Sequence, residues 1–483
     1  MIRIFLSKYL YIYFSFIKSY GVGNTVKSLI HLLIVGLLVL SGCGSVGLCE
    51  TGPKSLATDA DNYDMVIIAP EKFLSNLQPL VEHKNSYDVI TTIKTVEKIY
   101  DEYEGQDNAE QIKYFIKDAI ETWNVQYVLL VGGRKPSLSG EEWLLPVRYS
   151  YIEDNVATPE DRYMSDLYFA DIYDASDNFS SWDTNENGIF GEWRANQSAD
   201  DIMDLYPDVA VGRLPCRNRL EVKIMVKKII HYEQEPCESS WFNRMVVVGG
   251  DTYTFNEYYE GEEANQQALD WMTGFEPIKL WTSDGSFQRW QDVVTTINQG
   301  CGFLYFAGHG SPSAWGTHPP FDNSTWIFGL KLRHIPLLFN GEKLPICVVG
   351  GCHNSMFNIS VFHLSWTYGL PVYECWSWHL TRKIGGGAIA TMGCTGLGYG
   401  KEDKHDPSQG GGGDWLDVLF FRECGEYQVE ILGDAWGNAI SSYLDEFPID
   451  WNQQAFNDTA LDAKTVQEWV LLGDPSLRIG GYE

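Results

Sequence analysis

The chain has 483 residues, of which 44% are hydrophobic and 21% are charged. This length and composition are typical of a folded protein with a large core, and at roughly 150 residues per domain they predict two or three domains. The formal net charge is -30, and such an excess of carboxylates repels phosphate backbones and anionic lipid headgroups. We therefore expect neither a nucleic-acid-binding protein nor a polybasic membrane-attachment surface.

Residues 1–42 are predicted to be a signal peptide. They contain four basic residues and no acid, and an apolar run at residues 29–40 precedes Leu40-Ser41-Gly42-Cys43. That run is shorter than the roughly 20 residues that span a membrane. The pattern resembles a bacterial lipoprotein signal, which implies a lipid on Cys43, a linker over residues 43–61, and an extracellular or cell-surface location. The alternatives are an uncleaved anchor helix and ordinary signal cleavage nearby.

The ten cysteines form no Cys-x-x-Cys pair, so neither a zinc ribbon nor a redox motif is expected. The histidines likewise lack the His-Glu-x-x-His spacing of a zinc peptidase. Free cysteine is among the most buried residue types. Most of these cysteines are therefore expected to be buried thiols that act as small apolar side chains.

Predicted strands and helices alternate in the first half of the chain. Strands are predicted at residues 65–69, 127–133 and 208–212, and helices at residues 71–85, 109–123 and 220–233. Such alternation is typical of a parallel sheet covered by helices. Pro236 predicts a boundary, because proline cannot continue the preceding helix and restricts the residue before it.

The second half repeats this alternation. Strands are predicted at residues 244–250, 302–307, 344–350 and 387–392, and a helix at residues 262–272. The fold class predicted for the whole chain is therefore α/β, with mostly parallel sheets in two tandem subdomains at residues 62–235 and 236–483.

Three polar residues follow predicted strands of the second half. Asp251, His309 and Cys352 each come directly after an apolar run that ends in glycine. Ligands of open parallel sheets bind beyond the carboxyl ends of the strands. Nucleophilic catalysis commonly uses three groups: a thiol that attacks a carbonyl, a base that takes the thiol proton, and a group that orients the base. The glycines allow sharp turns that bring backbone N–H groups near a developing oxyanion.

The residues around His309 and Cys352 resemble those of the gingipain-type cysteine peptidases. The resemblance is carried by Tyr-Phe-Ala-Gly-His-Gly-Ser at residues 305–311, Ala-Trp-Gly-Thr at 314–317, the strand and cysteine at 345–352, and Trp-Val-Leu-Leu-Gly-Asp-Pro-Ser-Leu at 469–477. Segments of the first half, at residues 127–133, 165–168 and 206–214, match in the same order. The resemblance covers roughly residues 62–480.

This resemblance implies two caspase-like α/β/α subdomains, of which the second is catalytic. It makes His309 the general base and Cys352 the nucleophile. Asp251 falls where the family has an acid that assists the histidine, although the family often has the longer Glu there. Protein or peptide substrates are implied, and no cofactor is required for the chemistry.

The resemblance also suggests a pocket for a basic side chain at P1, the substrate residue before the cleaved bond. In arginine-specific relatives, an acid near the start of the helix after the first catalytic strand pairs with that side chain. Glu262 or Glu263 occupies this place here, and Tyr399 lies near the place of an aromatic lid. The alternative is that these acids only stabilise the start of their helix through its dipole.

A calcium site is a further candidate. Asp183, Asn185 and Asn187 alternate along the chain before a glycine, as in the first half of a calcium-binding loop, and Glu192 could complete the ligands. The EF-hand pattern fails at its twelfth position, where Arg194 replaces a bidentate Glu. The alternative is an Asn- and Gly-rich surface turn.

The predicted function is that of an exported, surface-tethered cysteine endopeptidase that acts through a thioester acyl-enzyme. Two other functions share these features. A caspase-like binding module without catalytic activity is one alternative, and intact His309 and Cys352 argue against it. A cysteine acyltransferase or sortase-like enzyme is the other, and it differs in passing the acyl group to an amine instead of water.

Overall fold

The computed structural model describes residues 62–135, 141–154, 160, 162–235, 238–361, 367, 370–400 and 407–482. The predicted signal peptide, the linker, Cys43 and Pro236 lie outside these residues. No helix in the described ranges is both long enough and apolar enough to cross a membrane.

The strands and helices are numbered in chain order. The strands are β1 Met65–Ala69, β2 Thr91–Thr95, β3 Tyr127–Val131, β4 Tyr149–Ser150, β5 Tyr163–Met164, β6 Ala210–Leu214, β7 Arg244–Gly249, β8 Glu276–Trp281, β9 Phe303–Ala307, β10 His309–Ser311, β11 Ala314–Thr317, β12 Ile327–Lys331, β13 Ile346–Gly350, β14 Ala390–Cys394 and β15 Trp469–Leu472. The α-helices are α1 Leu74–Asn85, α2 Val96–Glu102, α3 Asn108–Trp123, α4 Arg219–Gln234, α5 Ser239–Phe242, α6 Glu260–Trp271, α7 Trp290–Ile297, α8 Trp376–Thr381, α9 Gly413–Gly425, α10 Leu432–Glu446 and α11 Asp458–Glu468.

The first sheet has four parallel strands in the order β2-β1-β3-β6. Every residue of β1 is buried, which is why this strand is a continuous apolar run. Helix α3 begins where the Asp107 side chain accepts from the N–H groups of Ala109 and Glu110, and it ends at Asn124, whose φ is 61°. Local capping therefore places this helix close to its predicted bounds.

The second sheet has six strands in the order β15-β14-β13-β9-β7-β8. All are parallel except β15, which runs antiparallel to β14. The carboxyl ends of β7, β9 and β13 therefore meet at one edge. A small antiparallel sheet, β10-β11-β12, continues from the end of β9. The predicted α/β class with two mostly parallel sheets is confirmed.

The two sheets pack against each other through their edge strands β6 and β15. A Cβ added to Gly212 would lie 2.5 Å from the carbonyl oxygen of Gly473, so the backbones approach too closely for a side chain. Residues 60–483 form one compact unit. The subdomain limits at residues 235 and 236 stay a prediction.

Apolar periodicity missed several elements that lack a clear pattern. Strand β8 lies at a sheet edge and begins with exposed Glu276 and Pro277, so it lacks the apolar run of a central strand. Strand β2 has three partly exposed residues among its five. The small antiparallel sheet β10-β11-β12 was not predicted, although it contains residues of the His309 motif.

Candidate active site

The strand order brings His309 and Cys352 to neighbouring positions. Strands β9 and β13 pair in parallel with Ala307 opposite Gly350. His309 and Cys352 each follow two residues later, so they occupy corresponding positions beyond the carboxyl ends of adjacent strands. Asp251 follows β7, the next strand beyond β9. The three residues predicted from the sequence therefore lie along one sheet edge.

Close backbone contacts hold the His309 segment and the Cys352 segment together. The N–H of Gly308 donates to the carbonyl oxygen of Gly350 at 3.0 Å. A Cβ added to Gly310 would lie 2.6 Å from the carbonyl oxygen of Cys352. Glycine is required there because any side chain would separate the histidine segment from the cysteine segment.

The imidazole of His309 is held by a backbone carbonyl. Its Nε2 lies 2.9 Å from the carbonyl oxygen of Thr252, and a carbonyl can only accept, so Nε2 carries a proton. In the neutral ring Nδ1 is then the nitrogen that can accept a proton. The rings of Tyr253, His318 and Trp326 surround the imidazole. Burial lowers the pKa of His309 from its ordinary value of 6.5, which favours this neutral base.

Asp251 is buried and contacts a different segment. Its Oδ2 accepts from the N–H of Phe321 at 2.7 Å, and its own N–H donates to the carbonyl oxygen of His318 at 3.1 Å. Burial raises the pKa of this carboxyl group. The structure thus gives the contact with the imidazole to the next residue, Thr252, and the assisting role of Asp251 stays a prediction. A backbone carbonyl leaves no signature in a sequence, so this contact could not be found there.

The thiol of Cys352 is partly buried and protonated at rest. Its Sγ donates to the carbonyl oxygen of Gly398 at 3.4 Å. Burial raises the pKa of Cys352 to about 11, and the negative charge of Glu468 contributes in the same direction. Cys352 is therefore a neutral thiol at rest, and the lowered pKa of His309 favours a neutral imidazole.

Of the predicted substrate-binding residues, Tyr399 is next in sequence to the thiol's acceptor, and Glu262 contacts the segment that follows β8. Tyr399 follows Gly398, whose carbonyl accepts from the thiol. The carboxylate of Glu262 accepts from the Thr282 hydroxyl at 3.3 Å and the Ser283 N–H at 2.9 Å. These two residues follow β8, which is three strands from β13.

Glu263 lies in the first turn of α6 and is partly exposed. Its role in substrate binding, like that of Glu262 and Tyr399, stays a prediction.

Two acids that the sequence did not single out lie beneath the strand that leads to Cys352. A Cβ added to Gly350 would lie 2.8 Å from Asp417 Oδ2 and 3.4 Å from Asp414 Oδ1. Asp417 Oδ2 and the Tyr305 hydroxyl are buried without a hydrogen-bond partner among the described residues. Burial, with the charge of Glu260, raises the pKa of Asp414 to about 7. Helix α9, which carries both aspartates, follows a glycine run that gave no signal of its start.

The predicted calcium loop is folded on itself. Asp183 accepts from the N–H groups of Asn187 and Gly188, both at 2.9 Å, and Asn185 Oδ1 accepts from the N–H of Asn187 at 3.0 Å. The Asn187 amide donates to Glu192 at 2.6 Å. Within the described ranges, no group of three or more His, Cys, Asp or Glu is arranged to hold a metal. The loop brings the four predicted ligands together, but it uses their oxygens as turn acceptors.

Seven cysteines are described, and all are free. Five are buried, as the sequence predicted, and Cys352 and Cys424 are partly exposed. Burial raises the pKa of the other thiols as well, for example that of Cys301 to about 12. The thiol of Cys352 is therefore not intrinsically acidic, and a nucleophilic role would require a base to take its proton.

Known proteins are similar to this chain in sequence and in fold. The sequence profile described as Peptidase family C25 matches residues 58–480. Gingipain R2 of Porphyromonas gingivalis strain W83 is 23% identical over 313 residues, which cover 63% of this chain and 34% of that relative. An uncharacterized protein of Archaeoglobus fulgidus is 22% identical over 432 residues, or 84% of this chain and 92% of that protein. The chain thus spans 34% of the length of gingipain R2.

The solved structures agree. The crystal structure of the Arg specific cysteine proteinase gingipain R matches with a TM-score of 0.58 and 19% identity, and covers 88% of this chain and 80% of that one. The complex of the pro- and mature domains of a Porphyromonas gingivalis gingipain matches with a TM-score of 0.57 and 19% identity, over 86% of this chain and 79% of that one. Because the family profile covers most of the residues, this chain belongs to peptidase family C25, the gingipain family of cysteine peptidases.

Proposed function

We propose that the chain is an active cysteine endopeptidase. The placement of His309 and Cys352 at corresponding positions on adjacent strands carries this proposal. His309 Nδ1 takes the thiol proton as the sulfur attacks the carbonyl carbon of a peptide bond. The C–N bond then breaks, the amine leaves with the proton from His309, and a thioester remains. Water, deprotonated by His309, hydrolyses the thioester and regenerates the thiol.

A peptidyl acyloxymethyl ketone tests this chemistry directly. The active protein should be labelled stoichiometrically, and mass spectrometry should place the label on Cys352. A peptide substrate should also be cleaved with release of a free carboxylate. Absence of both reactions in folded protein would favour the binding module. Transfer of the acyl group to an added amine, in preference to water, would favour the acyltransferase.

We further propose that the enzyme prefers Arg or Lys at P1. Asp414 and Asp417 lie under Gly350, two residues before the nucleophile, and the charge of Glu260 acts on Asp414. A guanidinium or ammonium group would give the buried carboxylates the charged partner they lack, and a neutral P1 side chain would not. Gingipain R, whose fold this chain shares, is an Arg specific proteinase, which agrees with this preference.

Two variants test which acid binds the P1 side chain: Asp414, which the structure suggests, or Glu262, which the sequence predicted. If Asp414 binds the P1 side chain, Asp414→Asn should reduce the ratio of kcat/KM for basic over neutral P1 substrates by about tenfold or more. The larger loss should occur in Glu262→Gln if the sequence-based prediction is right. A wild-type profile that prefers apolar or acidic P1 residues would contradict the preference itself.

The location proposed is the cell surface, with a lipid on Cys43. The support is the apolar run and the residues before Cys43. Mass spectrometry of protein purified from its native membrane should find an N-terminal peptide that begins at lipid-modified Cys43. Cys43→Ser should release the protein or leave it unprocessed. Mature protein that still begins at Met1 would contradict this location mechanism.

A further inference from the structure

A buried carboxylate from the first half of the chain contacts the segments around the nucleophile. Glu160 is 7% exposed. Its Oε1 lies 2.8 Å from Nε2 of His353, the residue after Cys352, and its Oε2 accepts from the N–H of Leu397 at 2.6 Å. The ammonium of Lys464 donates to the same Oε2 at 3.1 Å. Three donors from separate parts of the second half thus converge on one side chain.

Those contacts join the two segments that flank the thiol. The N–H of His353 donates to the carbonyl oxygen of Gly396 at 2.7 Å. Leu397 directly precedes Gly398, whose carbonyl oxygen accepts from the thiol. Glu160 therefore holds the residue after the nucleophile on one side and the residue before the thiol's acceptor on the other.

The charge of Glu160 suits this arrangement. Burial alone would raise its pKa, but the hydrogen bond from His353 and the charge of Lys464 lower the pKa of Glu160 to about 2. An amide in its place would remove the negative charge that pairs with Lys464, and it would reverse the hydrogen bond to His353 or break it. His353 also has a φ of 58°, a conformation that this contact helps to hold.

We propose that Glu160 is a positioning residue that orients Cys352 through His353 and Leu397, so that the first half of the chain completes the active site of the second. This inference rests on the proposed peptidase function for its kinetic readout only. Glu160 lies far from Cys352 in sequence, and the resemblance to the family assigned it no role.

A matched pair of variants separates positioning from stability. Asp154 also pairs with Lys464, at 2.9 Å, and is buried, but its described contacts do not include His353 or Leu397. In Glu160→Gln we expect kcat to fall by about tenfold or more with KM within about threefold. Asp154→Asn should keep kcat within about twofold of wild type, even if its melting temperature falls as much as that of Glu160→Gln. Equal losses of kcat in both variants would overturn the inference.

His353 supplies an independent test if Glu160→Gln does not fold. His353→Gln keeps an N–H donor for the carboxylate, and His353→Leu removes it. Both replacements must adopt the same left-handed backbone conformation at residue 353. The glutamine variant should retain at least about fivefold more kcat than the leucine variant. Equal kcat values would contradict a role for the contact.

Alkylation by iodoacetamide gives a readout that needs no peptide substrate. The rate at Cys352, followed by mass spectrometry of its peptide, should fall in Glu160→Gln and stay close to wild type in Asp154→Asn. If wild-type protein cleaves no peptide but shows this pattern, the proposed function fails and the positioning role stands. An unchanged alkylation rate and an unchanged kcat in folded Glu160→Gln would overturn the positioning role alone.

Discussion

The two sheets repeat one strand order, but only the second places a histidine beside a cysteine. Strands β2-β1-β3-β6 correspond to β8-β7-β9-β13. Val131 pairs with Leu214 as Ala307 pairs with Gly350, and in both sheets the cysteine follows two residues after the second partner, at Cys216 and at Cys352.

Backbone contacts repeat as well. The N–H of Gly132 donates to the carbonyl oxygen of Leu214 at 3.0 Å, the same distance as from Gly308 to Gly350. The position of His309, however, is taken by Gly133 in the first sheet, where an added Cβ would lie 2.2 Å from the carbonyl oxygen of Pro215.

The difference between the two cysteines shows what a fold leaves open. Cys216 is fully buried, its pKa is raised well above the ordinary value by burial, and glycine stands where a base would be needed. Cys352 is partly exposed and has His309 beside it. The same backbone therefore supports an inert core thiol in one half and a candidate nucleophile in the other.

Exchange of each cysteine should give the largest contrast. Cys352→Ala should abolish peptide hydrolysis, because no other group forms the thioester. Cys216→Ala should keep kcat within about twofold and lower stability slightly through the lost packing. Peptide cleavage by Cys352→Ala protein at the wild-type rate would refute the assignment of the nucleophile.

Loss of the base should have the next largest effect. His309→Ala should reduce kcat/KM by about a thousandfold, since the thiol pKa near 11 leaves little thiolate at neutral pH. The lowered pKa of His309 places the acid limb of the wild-type pH profile below pH 6.5. Asp251→Asn should reduce kcat/KM less than Cys352→Ala or His309→Ala does. An acid limb well above pH 7 would contradict the neutral resting imidazole.

Calcium binding would distinguish the first half of the chain from the second, because the predicted calcium loop lies in the first half. If the loop at residues 183–192 binds Ca²⁺, a concentration of about one hundred times Kd should raise the melting temperature by about 3 °C, and a chelator should reverse this. Asp183→Ala should remove the response. A melting temperature that ignores both additions, in protein with no metal by elemental analysis, would return the loop to a plain turn.

The smallest expected effect concerns Glu468, behind Cys352. Burial raises the pKa of Glu468 to about 8, against about 4.3 in the unfolded chain. Because its folded pKa is raised, the stability it contributes is present at acid pH and is lost as pH rises toward 8, by about 2 kcal/mol between pH 6 and pH 8. Glu468→Gln should therefore flatten the fall of melting temperature with pH. Identical pH profiles would contradict the raised pKa.

Much of the catalytic half could be predicted because its signals are local. The buried strands β7, β9 and β13 are continuous apolar runs, and the polar residues that follow them stand out. Asp251, His309 and Cys352 were found in this way. Edge strands β2 and β8 were missed, since partial exposure breaks the apolar pattern.

Sequence alone identified the candidate catalytic residues and the stretches that form buried strands, because residue type and apolar spacing are properties of short segments. The tertiary structure decided which of them meet. Strand order places His309 and Cys352 at corresponding positions beyond adjacent strands, and Glu262 contacts the segment after β8, a strand at the sheet edge. It also brought Glu160 to His353 across 193 positions of sequence. Such contacts depend on pairing between distant segments and on backbone groups that every residue has, so no local pattern announces them.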